Sequence, residues 1–258
     1  MDVAFTRTAC DIFAPLRAAI GKGSELDYAK VLTGGVAGWL RFESACDRSG
    51  LFSEKYLTTA IGQILSGRSG NRTVAEYKHP QLAPLMTGPG RRPEVDFVVR
   101  DMNKKIILAV ESKWAGRTKL STEAILWDLI RLELIAYHEG ARCIFILGGS
   151  KRKLDAVFAE PAFADSRTKP QRRPVLRHNK NVQHSTPLVP TVPLRIPMLK
   201  KLFAPYSRFE FPEKVISRRS EPSPADAKAR DYQVYAWEIH PAANRRIFRP
   251  GNSKHYGG

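Results

Sequence analysis

The chain has 258 residues, 43% of them hydrophobic, and a formal net charge of +17. That is enough apolar material for a real core, while no apolar run approaches the roughly 18 residues of a membrane span. Three cysteines, Cys10, Cys46 and Cys143, are far apart and form no CxxC pair; they suggest neither a disulfide framework nor a zinc ribbon and read as small buried residues.

The charge is unevenly spread. Residues 151–258 hold 22 Lys and Arg against 9 Asp and Glu, whereas residues 1–150 hold 20 against 16. The later part also holds 13 of the 18 prolines. Such a balance favours a polyanionic partner, most often nucleic acid, through phosphate neutralisation. The N-terminus lacks the basic start and clean apolar stretch of a secretion signal, so a cytoplasmic protein with no membrane association is expected.

In chain order, residues 8–21 and 26–46 read as helices with apolar faces, the second weakened by Gly34 and Gly35. "LFSEKYLTTAIGQILSG" is a clearer helix, capped by Ser53, lined by Leu57 and Ile61, and ended by Gly67. "RTVAEYKH" is a short strand and "LMTGPGRRP" a loop. "EVDFVVRD" and "KIILAVESKW" are strands joined by a turn, hence a hairpin. Ser121 or Thr122 starts the helix "EAILWDLIRLELIAYHEG", which Gly140 closes, and "ARCIFILGG" is a buried strand. The strand–helix–strand crossover predicts a parallel pair in one sheet.

Beyond residue 150, "KRKLDAVFAE" and "MLKKLF" read as helical. The stretch between them, rich in proline and basic residues, reads as extended. "RFEFPEKVISR" and "DYQVYAWEIHP" are two further strands. The expected division is an N-terminal helical region over 1–50, a core over 51–150 and a basic, proline-rich, β-containing C-terminal extension over 151–258. The fold class is α/β, with a mixed central sheet flanked by helices.

The hairpin carries the chemistry. Alternation places Glu94, Asp96 and Val98 on one face of its first strand. It places Ile107, Ala109, Glu111 and Lys113 on one face of the second, with Ile106, Leu108 and Val110 on the other. Two carboxylates and an ammonium thus meet near a sheet end, where burying them is costly unless they are paired, solvated or bound to a metal. Hard oxygens suit Mg²⁺ or Mn²⁺, and a metal-bound water beside a lysine is equipment for phosphodiester hydrolysis.

Asp96, followed on the next strand by Glu111-x-Lys113 within an α-β-β-β-α-β order, resembles the PD-(D/E)xK nuclease superfamily, with its restriction-endonuclease-like core. The resemblance covers roughly residues 50–150. It implies that Asp96 and Glu111 bind the metal with help from the Ser112 carbonyl, and that Lys113 orients or activates the attacking water. It also implies a role for Glu54, the acid on the preceding helix. One departure is that Val95 precedes Asp96, with Pro93 two positions further back. The alternative for Asp96 and Glu111 is a cross-strand ion pair with Lys113 or Arg100.

The expected partner is nucleic acid, DNA in the first place, with a homodimer if both strands are cut. Candidate contacts are Arg91, Arg92, Arg131, Arg172, Arg173, Arg177 and Lys180. Trp127 reads as core, Asp128–Arg131 as an i,i+3 surface pair, and His178 and His184 as solvent-exposed. The rival readings are a non-catalytic nucleic-acid-binding protein on the same scaffold and a regulatory protein with an acidic protein partner.

Overall fold

The computed structural model describes residues 27–86, 93–116, 120–163, 174–189, 196–253 and 256. Helix α1 spans Tyr28–Ala45 and α2 Glu54–Ser69. Their caps are local: the side chains of Asp27 and Ser53 accept the Lys30 and Tyr56 amides, each three residues on. Helix α2 ends at Gly70, whose φ of 57° suits glycine, rather than at Gly67. Gly35 lets α1 approach α2, since a Cβ there would stand 2.7 Å from the tip of Ile64.

Strands β1 (Thr73–Tyr77), β2 (Val95–Arg100) and β3 (Ile106–Ala115) follow, then α3 (Thr122–Glu139) and β4 (Arg142–Ser150). Ser121 caps α3, and Gly140 closes it in the left-handed region at φ 64°. Helix α4 (Lys151–Ala159), β5 (Gln183–Pro187), α5 (Ile196–Phe203), β6 (Phe211–Pro212), β7 (Lys214–Arg219), β8 (Tyr232–His240) and β9 (Ile247–Phe248) complete the described elements.

The main sheet is seven-stranded, in the order β1-β2-β3-β4-β8-β7-β5. Strands β3 and β4 are parallel, as the crossover through α3 requires, and the other neighbours are antiparallel. The protein is therefore α/β, with a mixed sheet covered on both faces. On one face, Leu32, Val36, Leu40, Leu57 and Ile61 of α1 and α2 pack on Val99, Leu108, Val110, Ile144 and Ile146. On the other, Ile125, Leu129 and Leu132 of α3 join Val98, Ala109, Phe145 and Trp237. No helix among the described residues is long and apolar enough to cross a membrane.

Three details depart from the sequence expectation. The described strands beyond 150 do not stand apart from the core. Strands β8, β7 and β5 continue its sheet, with β8 pairing along β4 from Cys143↔Ile239 to Ser150↔Tyr232. Second, the register between β2 and β3 shifts after Val99↔Leu108, so that Arg100 faces Ile106. This bulge reverses the expected faces: Ile106 joins the Ala109 side and Ile107 packs on the Leu108 side. The turn beyond is held by Asp101, whose carboxylate accepts the amides of Asn103 and Lys105.

Third, several side chains sit elsewhere than expected. Cys46 is exposed, while Cys143 is buried as expected. His184 is buried against the Pro174 carbonyl at 2.6 Å, and His178 stacks on Phe158 at 4.1 Å between ring centres. The described part of the basic segment is anchored, since Val175 and Leu176 are buried and the Arg177 carbonyl accepts the Trp237 indole N–H. The expected helix over 8–21, and Cys10 within it, lie outside the described residues.

Candidate active site

The site lies where the sheet forks. Antiparallel pairing of β2 with β3 ends at Phe97↔Val110, one residue before Asp96 and Glu111. Beyond that point β2 stays with β1, through Tyr77↔Val95, and β3 stays with β4, as far as Ala115↔Gly149. A fork leaves backbone donors without a ladder partner, and these must be satisfied some other way. Asp96 does so: its Oδ2 accepts the Ser112 amide at 2.8 Å and the Ser112 hydroxyl at 2.7 Å.

Four acids and two bases gather around this fork. Lys113 Nζ lies 3.0 Å from Glu54 Oε1, 3.2 Å from Asp128 Oδ2 and 3.3 Å from the Ser112 carbonyl. Arg131 reaches Glu111 Oε1 at 2.9 Å and also bonds Asp128. The side chains of Glu111 and Asp128 are 2% and 3% exposed, that of Glu54 48%. Helix α3 thus delivers one acid and one base over the strand pair, while the first turn of α2 delivers Glu54.

Burial decides the electrostatics. It pushes Asp96 above the ordinary aspartate range, against the bonds from Ser112 and the charge of Lys113. It pushes Glu111 well above its ordinary range, with Arg131 opposing and Asp128 and Asp96 adding to the rise. Asp128 is raised for the same reason, opposed by Arg131 and Lys113. Burial alone would lower Lys113, but Asp128 and Glu54 outweigh it and hold the ammonium above the ordinary lysine value. Lys113 is a proton-bearing donor here, not a base waiting for a proton.

No family model, no curated protein and no solved structure matches this chain. The site must therefore be read from its own chemistry.

Asp96, Glu111, Lys113, Ser112 and Glu54 are brought into one connected cluster. Arg131 joins it by its ion pairs and is not turned out to solvent. Arg177 is half-buried and Lys180 is exposed. Arg91, Arg92, Arg172 and Arg173 lie outside the described residues. Sequence reasoning missed Asp128 as a site residue. It stands three residues after Ile125 and four before Leu132, on the buried face of α3. An acid in the middle of an apolar stripe was the available signal.

For a divalent metal, the donor set is hard oxygen, and among the described residues four carboxylates face two cations. Two buried oxygens, Glu111 Oε1 and Asp128 Oδ2, are engaged by ion pairs, with Arg131 at 2.9 Å and Lys113 at 3.2 Å. Charge and donor chemistry fit Mg²⁺ or Mn²⁺. The side chains are drawn onto Arg131 and Lys113, however, and among the described residues no three His, Cys, Asp or Glu groups converge as a ready metal cage.

Proposed function

We propose that the protein is a divalent-metal-dependent nuclease, hydrolysing phosphodiester bonds with DNA as its substrate. One observation carries the reading: Asp96, Glu111 and Lys113, from two strands that part at this point, meet in a buried cluster with an excess of carboxylate. The element order α2-β1-β2-β3-α3-β4 and the net charge of +17 are what a PD-(D/E)xK enzyme would carry.

In this reading Asp96 and Glu111 hold Mg²⁺ or Mn²⁺, with the Ser112 carbonyl as a neighbouring oxygen. The ion, when bound, neutralises charge growing on the phosphate and eases deprotonation of a water. Ser112 keeps Asp96 aimed, through its amide and hydroxyl. Lys113, held protonated, donates hydrogen bonds that orient the attacking water or a phosphate oxygen. Exposed Glu54 and buried Asp128 hold its ammonium from two sides.

The test is cleavage of supercoiled plasmid, single-stranded and branched DNA in Mg²⁺, Mn²⁺ or EDTA, beside Lys113→Ala. Cutting that needs metal and falls at least a hundredfold in the variant is the expected result. Binding without cutting, unchanged by metal or substitution, overturns it.

A second reading is a binding protein on the same scaffold. The engagement of Glu111 by Arg131 favours it, because that ion pair already neutralises one would-be metal ligand. Mn²⁺ titration separates the two: a nuclease site binds the ion and loses it in Asp96→Ala.

A further inference from the structure

Beside the fork, a cleft of about 430 Å³ runs between helix α2 and the sheet-edge strand β1, with Asp96 and Phe97 among its lining residues. One wall is a single face of α2, formed by Thr58, Thr59, Gln63 and Ser66. Phe97 is 7% exposed there, and α2 lies directly on it: a Cβ on Gly62 would come within 3.0 Å of the ring. Wall and floor are thus packed against each other, so the cleft is formed in advance. Its volume falls in the lower part of the roughly 300–1,000 Å³ range of small-ligand sites.

The charges of this cleft argue against a phosphate. Among its described lining residues Lys55 is the one cation, beside two carboxylates, Asp96 and Glu76. The wall instead offers uncharged hydrogen-bonding groups. Thr58 and Thr59 give their hydroxyl protons to the Lys55 carbonyl and keep oxygen lone pairs as acceptors. Gln63 carries an amide able to donate and accept in one plane, the arrangement that reads a nucleobase edge.

We propose that this cleft seats one unpaired nucleobase of a single-stranded nucleic acid, belonging to the nucleotide beside the phosphate presented at Asp96. The proposal rests on the phosphodiesterase reading and names its substrate class. A base already unstacked enters without that cost, whereas one drawn from a duplex must first be unpaired and unstacked. Single-stranded substrate is therefore preferred.

The test uses the full chain and oligonucleotides carrying 2-aminopurine at successive positions, single-stranded or as a blunt duplex. Binding is read by anisotropy and 2-aminopurine emission in EDTA, and cutting is read separately in Mn²⁺. Ser66→Trp fills the cleft from an exposed helix position, and Gln63→Ala removes the amide; circular dichroism confirms that both fold. Expected are single-strand binding at least tenfold tighter than duplex binding, and an emission change at one position only. Ser66→Trp abolishes that change and, like Gln63→Ala, reduces the single-strand preference at least fivefold. Equal affinity for the two forms, or a preference that both variants retain, overturns the base seat. Cutting without base seating leaves the nuclease reading standing alone. Base seating without cutting in Mn²⁺ removes the nuclease reading instead, and with it the proposal in the form stated here.

Discussion

Replacing Arg131 with Met tests whether the cluster is a buried charge network. Methionine keeps much of the aliphatic volume and removes only the guanidinium. The substitution leaves Glu111 and Asp128, both nearly inaccessible, with Lys113 as the remaining cation of the cluster. The cheapest relief is for the folded protein to protonate one carboxyl. At pH 7, doing so from an ordinary glutamate pKa of about 4.3 costs about 3.7 kcal/mol, the ceiling of the effect because burial already raises Glu111 in the parent. Breaking a buried pair by removing one partner costs about 3–5 kcal/mol in general. The expected loss is therefore about 3–4 kcal/mol, read from urea unfolding of the two proteins. Its pH dependence has a definite sign. A carboxyl raised in the folded state binds more protons there than in the unfolded chain, so stability falls as pH rises above the ordinary carboxylate range. The deficit of the variant should be small near pH 4 and complete near pH 7. Saturating Mn²⁺ should recover more stability in the variant than in the parent, because the lost charge is returned by the ion. A deficit below about 1 kcal/mol at neutral pH, or one indifferent to pH, would mean that the pair behaves like an exposed one and that the reasoning is wrong.

Two other substitutions probe the frame. In Gly149→Ala, the new methyl would stand 2.9 Å from the Ala115 carbonyl oxygen and 2.8 Å from the Ala115 methyl, at the last pair holding β3 to β4. Backbone has to move, so a loss of about 1–3 kcal/mol in chemical denaturation is expected. Glu238 is held down to about 2, chiefly by His240, whose Nε2 lies 3.7 Å away, and with help from the Arg142 hydrogen bond at 2.5 Å, while burial opposes them. A carboxyl depressed in the folded state stabilises above its ordinary pKa and loses that effect as pH falls towards the folded value. The advantage of the parent over Glu238→Gln should thus be full near pH 6 and vanish between about pH 4.5 and 2, followed by the urea midpoint.

The elements with local punctuation were readable. Ser53 before α2, Ser121 and Gly140 around α3, and the alternation of β2 over Phe97 to Val99 all mark themselves within a few residues. The grouping of Asp96 with Glu111 and Lys113 was equally legible, since it follows from side-chain period and one hairpin. The bulge was not, because the one extra residue of β3, Ile107 between Ile106 and Leu108, leaves the apolar run unchanged and only reverses which isoleucine faces which helix. Asp128 was misread because an acid three residues before an arginine is also the signature of an exposed helix pair. The joining of β8 to β4 is a pairing between distant segments, and no local pattern names a strand's partner. His184 reads as polar and accessible in sequence, yet the Pro174 carbonyl supplies the partner that permits its burial.

That long-range pairing bears on how the chain reaches its folded state. Strand β4 has β3 on one side and β8 on the other. Until residues near Ile239 have been synthesised, the apolar run from Cys143 to Leu147 has an open hydrogen-bonding edge, the feature most prone to recruit a strand from another molecule. The fork that carries the charged cluster is encoded before residue 132, but the sheet behind it closes only when the eighth strand arrives. A fragment covering 51–150 alone would carry every hairpin residue of the cluster and should still aggregate, because its central strand would lack a neighbour.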